Sequence, residues 1–166
     1  MKVEDICTRT VKSCTKGTSL SDAANLMWNG DCGILPVLDE VGKVVGVVTD
    51  RDICMALALI SKPASDVPVR VISAPTLHTC RPGDGLRDAL RTMRTQKVRR
   101  LPVVDGAGVL QGLLSLNDVA LAAKPDRLAE PSDVTYEDLA LALKTICGRR
   151  LSLEARVPAP QPTAFV

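Results

Sequence analysis

The chain has 166 residues and is 46% apolar, enough to bury a core as one compact domain or two small fused ones. Its formal net charge of +2 implies no polyanionic partner, and three aromatics (Trp28, Tyr136 and Phe165) cannot make a stacking platform for single-stranded nucleic acid. Six cysteines without Cys-x-x-Cys spacing and one histidine, His78, exclude the usual zinc patterns. No apolar run nears the roughly 18 residues of a membrane span, and the start Met-Lys-Val-Glu-Asp lacks the apolar block of a secretion signal. A cytoplasmic protein with free thiols is therefore expected, with no membrane and no nucleic-acid partner.

In chain order, residues 1–7 predict a short leading helix. A strand near residues 10–14 follows, then a helix in which Leu20, Ala23, Ala24, Met27 and Trp28 share one face behind a Ser19/Asp22 cap. Trp28 is expected to seal that helix against a neighbour. Residues 34–38 and 43–48 read as two strands around the turn Asp39-Glu40-Val41-Gly42, and a second helix starts after Thr49.

The same order then repeats without a gap at a shift of 66 positions. Cys14 meets Cys80, Leu20 meets Leu86, and Leu35-Pro36-Val37 meets Leu101-Pro102-Val103. Gly42, Gly46 and Asp52 meet Gly108, Gly112 and Asp118. The second copy predicts a strand near 76–80, a helix carrying Leu86, Ala89, Leu90 and Met93, strands at 100–104 and 110–114, and a helix after Ser115. The fold class is α/β (α+β): two pseudo-symmetric β-α-β-β-α repeats packed sheet to sheet. The expected domains are repeat 1 (1–60), a connector (61–70) with Pro63 and Pro68, and repeat 2 (71–123). A linker and C-terminal helix (124–150) follow, the helix striped by Tyr136, Leu139, Leu143, Ile146 and Cys147 and stopped by Gly148. The tail 151–166 is proline-rich and expected to be flexible.

Two segments carry the chemistry: Gly46-Val47-Val48-Thr49-Asp50-Arg51-Asp52 and Gly112-Leu113-Leu114-Ser115-Leu116-Asn117-Asp118. Ser/Thr-x-x-Asp is a capping box, in which both side chains satisfy free N–H groups of the first turn. It is also a place for an anion, because the helix start offers donors and positive potential. The hydroxyl can bond phosphate or ribose, and the aspartate can accept from ribose hydroxyls. Each glycine either marks a bulge or admits a close backbone approach.

The joint order of leading helix, β-α-β-β-α, Leu-Pro-Val, Asp-x-x-Gly and Gly-h-h-Ser/Thr-x-x-Asp, twice in register over roughly residues 1–123, resembles the CBS domain. The pair resembles a Bateman module. The run 49–53 and the closing Thr145-Ile146-Cys147 are similar to small stand-alone bacterial members. The resemblance implies two clefts that take adenine nucleotides (AMP, ADP, ATP) or a related adenosyl ligand such as NAD or S-adenosylmethionine. Carried over residue by residue, it implies a first site of Thr10, Lys12, Ile34, Pro36, Thr49, Arg51 and Asp52. The second would comprise Thr76, His78, Arg99, Arg100, Pro102, Ser115 and Asp118. Arg99 and Arg100 stand where the first copy has Gly33-Ile34. They either pair with phosphates, favouring the more highly charged ligand, or are solvated strand-end residues. Arg51 either reaches a phosphate or pairs with Asp50 or Asp52, the latter being favoured.

The function expected is a regulatory sensor, a homodimer that passes occupancy to an unidentified protein effector. It needs no cofactor or metal, and no triad or acid/base pair supports an enzyme. The alternatives are a structural dimerisation module with empty clefts, or a thiol redox sensor using Cys14 and Cys80, which are otherwise small core residues.

Overall fold

The computed structural model describes residues 1–74 and 76–148; the tail expected at 151–166 lies outside them. The first repeat comprises β1 (Cys14–Thr15), α1 (Leu20–Asn29), β2 (Ile34–Leu38), β3 (Val44–Thr49) and α2 (Asp50–Leu59). The second comprises α3 (Leu86–Gln96), β4 (Arg100–Val104), β5 (Leu110–Ser115) and α4 (Leu116–Ala122). A last helix, α5, spans Tyr136–Cys147. The fold is mixed α/β, as the repeat pattern predicts.

Turn chemistry builds the two hairpins. The Asp39 carboxylate accepts from the N–H groups of Val41 (3.1 Å) and Lys43 (2.8 Å), and Gly42 takes φ +82°. Asp105 accepts from Ala107 and Val109 (2.9 Å each), and Gly108 takes φ +85°. The Val109 N–H, ahead of the other donors, holds the Asp105 carboxyl below the usual carboxylate range. β2 pairs antiparallel with β3 and β4 with β5, each with a register shift near its turn. The hairpin tips bond to each other, Val44 N–H to Gly108 O (3.0 Å) and Leu110 N–H to Gly42 O (3.2 Å).

Two strand expectations are corrected. The segment 10–14 is paired as a strand only at its end, where Cys14–Thr15 pairs parallel with β2, and 76–80 contributes a single bridge at Cys80. The reason is that both leaders cross over. Thr8 bridges Leu113 of the second repeat, and Ala74 bridges Val47 of the first. The glycines of β3 and β5 make the crossing feasible. A Cβ on Gly112 would lie 2.9 Å from Thr8 O, and one on Gly46 3.2 Å from Ala74 O. Both readings of those glycines are observed: each admits a close backbone approach and stands beside its strand's register shift.

The exchange extends to the one-turn 3-10 helices ahead of the leaders. Val3 N–H bonds Asp84 O (3.0 Å) and Leu86 N–H bonds Met1 O (3.1 Å). The equivalents sit in the first repeat, Val69 N–H on Thr18 O (2.8 Å) and Leu20 N–H on Val67 O (2.9 Å). Val3 is fully buried in the second repeat's core, with Leu86, Met93, Leu101 and Leu114. Val67 and Val69 are buried in the first, with Leu20, Met27, Leu35 and Val48. Full burial of one such valine stabilises by about 1.5–3 kcal/mol, so each leader fastens onto one core.

Helix α5 begins at a Thr135/Asp138 capping box and lies on α3 and α4. Ala142 is fully buried there, and Arg87 Nη2 meets Asp138 Oδ2 at 2.7 Å. Its entry is tied by Lys124 Nζ donating to buried Asp133 at 2.7 Å. That bond, with the Glu130 N–H, holds the Asp133 carboxyl below its ordinary range. Trp28, by contrast, seals nothing among the described residues: it is 87% exposed. Its edge of α1 faces solvent, as do Met55, Leu57 and Leu59 of α2.

Candidate functional site

Both Ser/Thr-x-x-Asp turns form the predicted capping box. Asp52 Oδ2 accepts from Thr49 N–H (2.9 Å) and Thr49 Oγ1 (2.7 Å), while Thr49 Oγ1 accepts from Asp52 N–H (3.2 Å). Asp118 and Ser115 repeat this at 2.7, 2.7 and 3.2 Å. Only one oxygen of each carboxylate is engaged, and among the described residues no protein donor meets Oδ1. Capping therefore leaves both aspartates an acceptor.

The crossed leaders regroup the candidate residues. One cleft, of about 550 Å³, places Ile34, Thr49 and Arg51 of the first repeat opposite Thr76, His78, Arg99, Arg100 and Pro102 of the second. A smaller cleft, about 300 Å³, joins Thr10 and Lys12 to Ser115 and Asp118, and Ile34 and Arg100 line it as well. Each cleft thus takes the leader and hairpin start of one repeat and the capped helix start of the other. Volumes of this order match small-molecule sites. Two candidates line neither cleft. Pro36 is buried in β2 opposite Val47, whereas its counterpart Pro102 reaches the larger cleft. Asp52 is turned into its cap, and Asp50 lines the larger cleft instead.

Electrostatics separate the pair. Arg51, Lys97, Arg99 and Arg100 line the larger cleft against one carboxylate, Asp50. The smaller cleft has Lys12 and Arg100 against Asp31 and Asp118. Among the described residues none of the four cations of the larger cleft has a carboxylate within ion-pair distance. This corrects the expected pairing of Arg51: Asp50 Oδ1 accepts from the Arg51 backbone N–H (2.7 Å), not from its guanidinium. Among the described residues the Arg99 guanidinium donates one hydrogen bond, to the Cys147 thiol, Nη2 to Sγ 3.5 Å.

Sequence reasoning missed Lys97 and Asp31 as cleft residues. They are equivalent under the shift of 66, and they are the two non-glycine residues with positive φ among those described, 53° and 45°. Left-handed conformations at non-glycine residues concentrate at functional sites, but a sequence shows no φ. It also missed Ile146, which reaches the larger cleft from α5.

Cys14 and Cys80 are both buried, and burial pushes their thiols up to about 11 and about 12. Thiols protonated at neutral pH are poor nucleophiles, which weighs against a redox sensor at these positions. Among the described residues no cluster of His, Cys, Asp and Glu could hold a metal ion, and no helix is long and apolar enough to cross a membrane.

A family model described as "CBS domain" matches the chain twice, over residues 3–59 and 65–124. The "CBS domain-containing protein YhcV" of Bacillus subtilis is 30% identical over 119 residues, which cover 72% of this chain and 83% of that protein. A homoserine O-acetyltransferase of Methanohalophilus mahii is 32% identical over 120 residues, but the match spans only 24% of that enzyme's length. Among solved structures, CBSX2 in complex with AMP superposes with a TM-score of 0.64 at 34% identity, covering 73% of this chain and 94% of that one.

Proposed function

The chain belongs to the CBS-domain family, and we propose that it is a regulatory module whose two clefts bind adenine nucleotides. The observation that carries this is the pairing, in each cleft, of a capped helix start with a leader from the opposite repeat. The helix start supplies a hydroxyl and free donors for phosphate or ribose. The leader, Thr76 with His78 or Thr10 with Lys12, lies where an adenine ring would rest. The AMP complex of CBSX2 supports the ligand class, and the coverage of only a quarter of an acetyltransferase supports a module that is regulatory rather than catalytic.

The larger cleft is the site of the more highly charged ligand. Guanidinium–phosphate bonds are strong and bidentate, and four cations with no carboxylate partner among the described residues favour ATP or ADP over AMP. Asp118, which lines the smaller cleft, holds ribose there. Because both clefts are shared between repeats, occupancy biases the angle between them, to the extent that the ligand binds one arrangement better. The output passes to a protein effector. The exposed apolar edge of α1 and α2, with Trp28, is the homodimer face.

A thermal-shift screen with AMP, ADP, ATP, NAD and S-adenosylmethionine tests the reading. A ligand at about 100 times its Kd adds roughly 2.7 kcal/mol. A raised Tm with at least one adenine nucleotide is expected. No shift with any of the five would leave a structural module with empty clefts.

A further inference from the structure

Helix α5 lies beyond both family matches, yet it is built into one cleft only. On the first repeat, Met27, Ile53 and Leu57 line an open groove of about 680 Å³ that runs to Asp31 and Gly33. A shift of 66 turns these into Met93, Val119, Ala123, Lys97 and Arg99. On the second repeat that place is filled, with Ala142 buried among Met93, Val119 and Ala123 and with Leu139 and Ile146 packed beside it. The last turn of α5 continues past this seat. Ile146 lines the cationic cleft, and the Cys147 thiol meets the Arg99 guanidinium. The smaller cleft has no such wall among the described residues.

We propose that α5 is a wall of the cationic cleft and its reporter: ligand in that cleft and α5 seated on α3 and α4 stabilise one another, and the smaller cleft is uncoupled. This rests on the cleft being a nucleotide site. Ile146 gives a bound nucleotide an apolar surface that exists only while α5 is docked. A phosphate drawing Lys97 and Arg99 inward orders the turn between α3 and β4, which the Cys147 thiol meets at Arg99. Coupling of this kind is reciprocal, so ligand must hold α5 as strongly as α5 holds ligand. When the cleft empties, α5 loosens and uncovers the α3/α4 groove, an apolar surface that an effector can read.

Hydrogen–deuterium exchange of the full chain, with and without saturating ATP, tests the coupling. Amides of α5 are expected to exchange about fivefold or more slowly with ATP bound. Ala142→Asp places a carboxylate in the buried contact and is expected to weaken ATP binding at the cationic cleft about tenfold, leaving AMP at the smaller cleft unchanged. Should that variant not fold, Arg87→Ala serves: Arg87 is exposed and does not line the cleft, and its loss is expected to speed α5 exchange and weaken ATP in proportion. ATP bound with α5 exchange unaltered overturns the coupling and leaves the nucleotide site standing. A wild-type chain that binds no ATP overturns both.

Discussion

The larger cleft gathers four cations, one carboxylate and the end of α5; the smaller, built from equivalent backbone, gathers two charges of each sign and, among the described residues, nothing from α5. Three positions account for most of the difference. Lys97 and Arg99 replace Asp31 and Gly33, and Arg51 stands where the second copy has Asn117. Duplication preserved the residues that set backbone geometry, and divergence acted on the side chains that face the clefts. Two sites of one shape can thereby discriminate ligands by charge.

The largest expected effect separates the two aspartates. Asp118→Ala should weaken nucleotide binding at the smaller cleft about ten- to hundredfold, each decade being about 1.4 kcal/mol. Asp52→Ala should mainly lower stability by about 1 kcal/mol through loss of its cap. Titration calorimetry beside urea denaturation reads both, and equal binding losses would erase the distinction. The crossed leaders differ next. Gly112→Ala, with its Cβ 2.9 Å from Thr8 O, should cost about 2 kcal/mol. Gly46→Ala, at 3.2 Å from Ala74 O, should cost about 1 kcal/mol, both read by denaturation.

The hairpins, caps and repeat were legible because residue type dictates them. Asp-x-x-Gly makes the turn, Ser/Thr-x-x-Asp makes the cap, and apolar alternation makes the strand. The exchange of leaders was not legible. Two similar copies offer each leader two similar cores, and sequence alone does not say which one Val3 or Val69 enters. Grouping the candidates copy by copy, Thr10 and Lys12 with Thr49, follows the chain rather than space. Lys97 and Ile146, the latter read as part of a packing stripe, reach the cleft only because α3 ends in a left-handed turn and α5 docks beside it.

Smaller effects sharpen the contrast in charge. Arg99→Ala should weaken ATP about tenfold at the larger cleft alone, whereas Arg100→Ala, which reaches both clefts, should affect both. Calorimetry with each variant checks this. Lys97→Gly relieves a left-handed lysine and should stabilise the fold by about 1 kcal/mol while weakening ATP. Asp31→Gly should stabilise similarly without that loss at the larger cleft, and thermal denaturation with and without ATP separates the two.

Calorimetric titration of the wild-type chain with AMP and with ATP, at low and at high salt, tests the central asymmetry most directly. Two classes of site are expected, one preferring ATP and losing affinity as salt screens its cations, the other nearly indifferent to both phosphate number and salt. Two sites that bind AMP and ATP alike, with the same salt dependence, would contradict it.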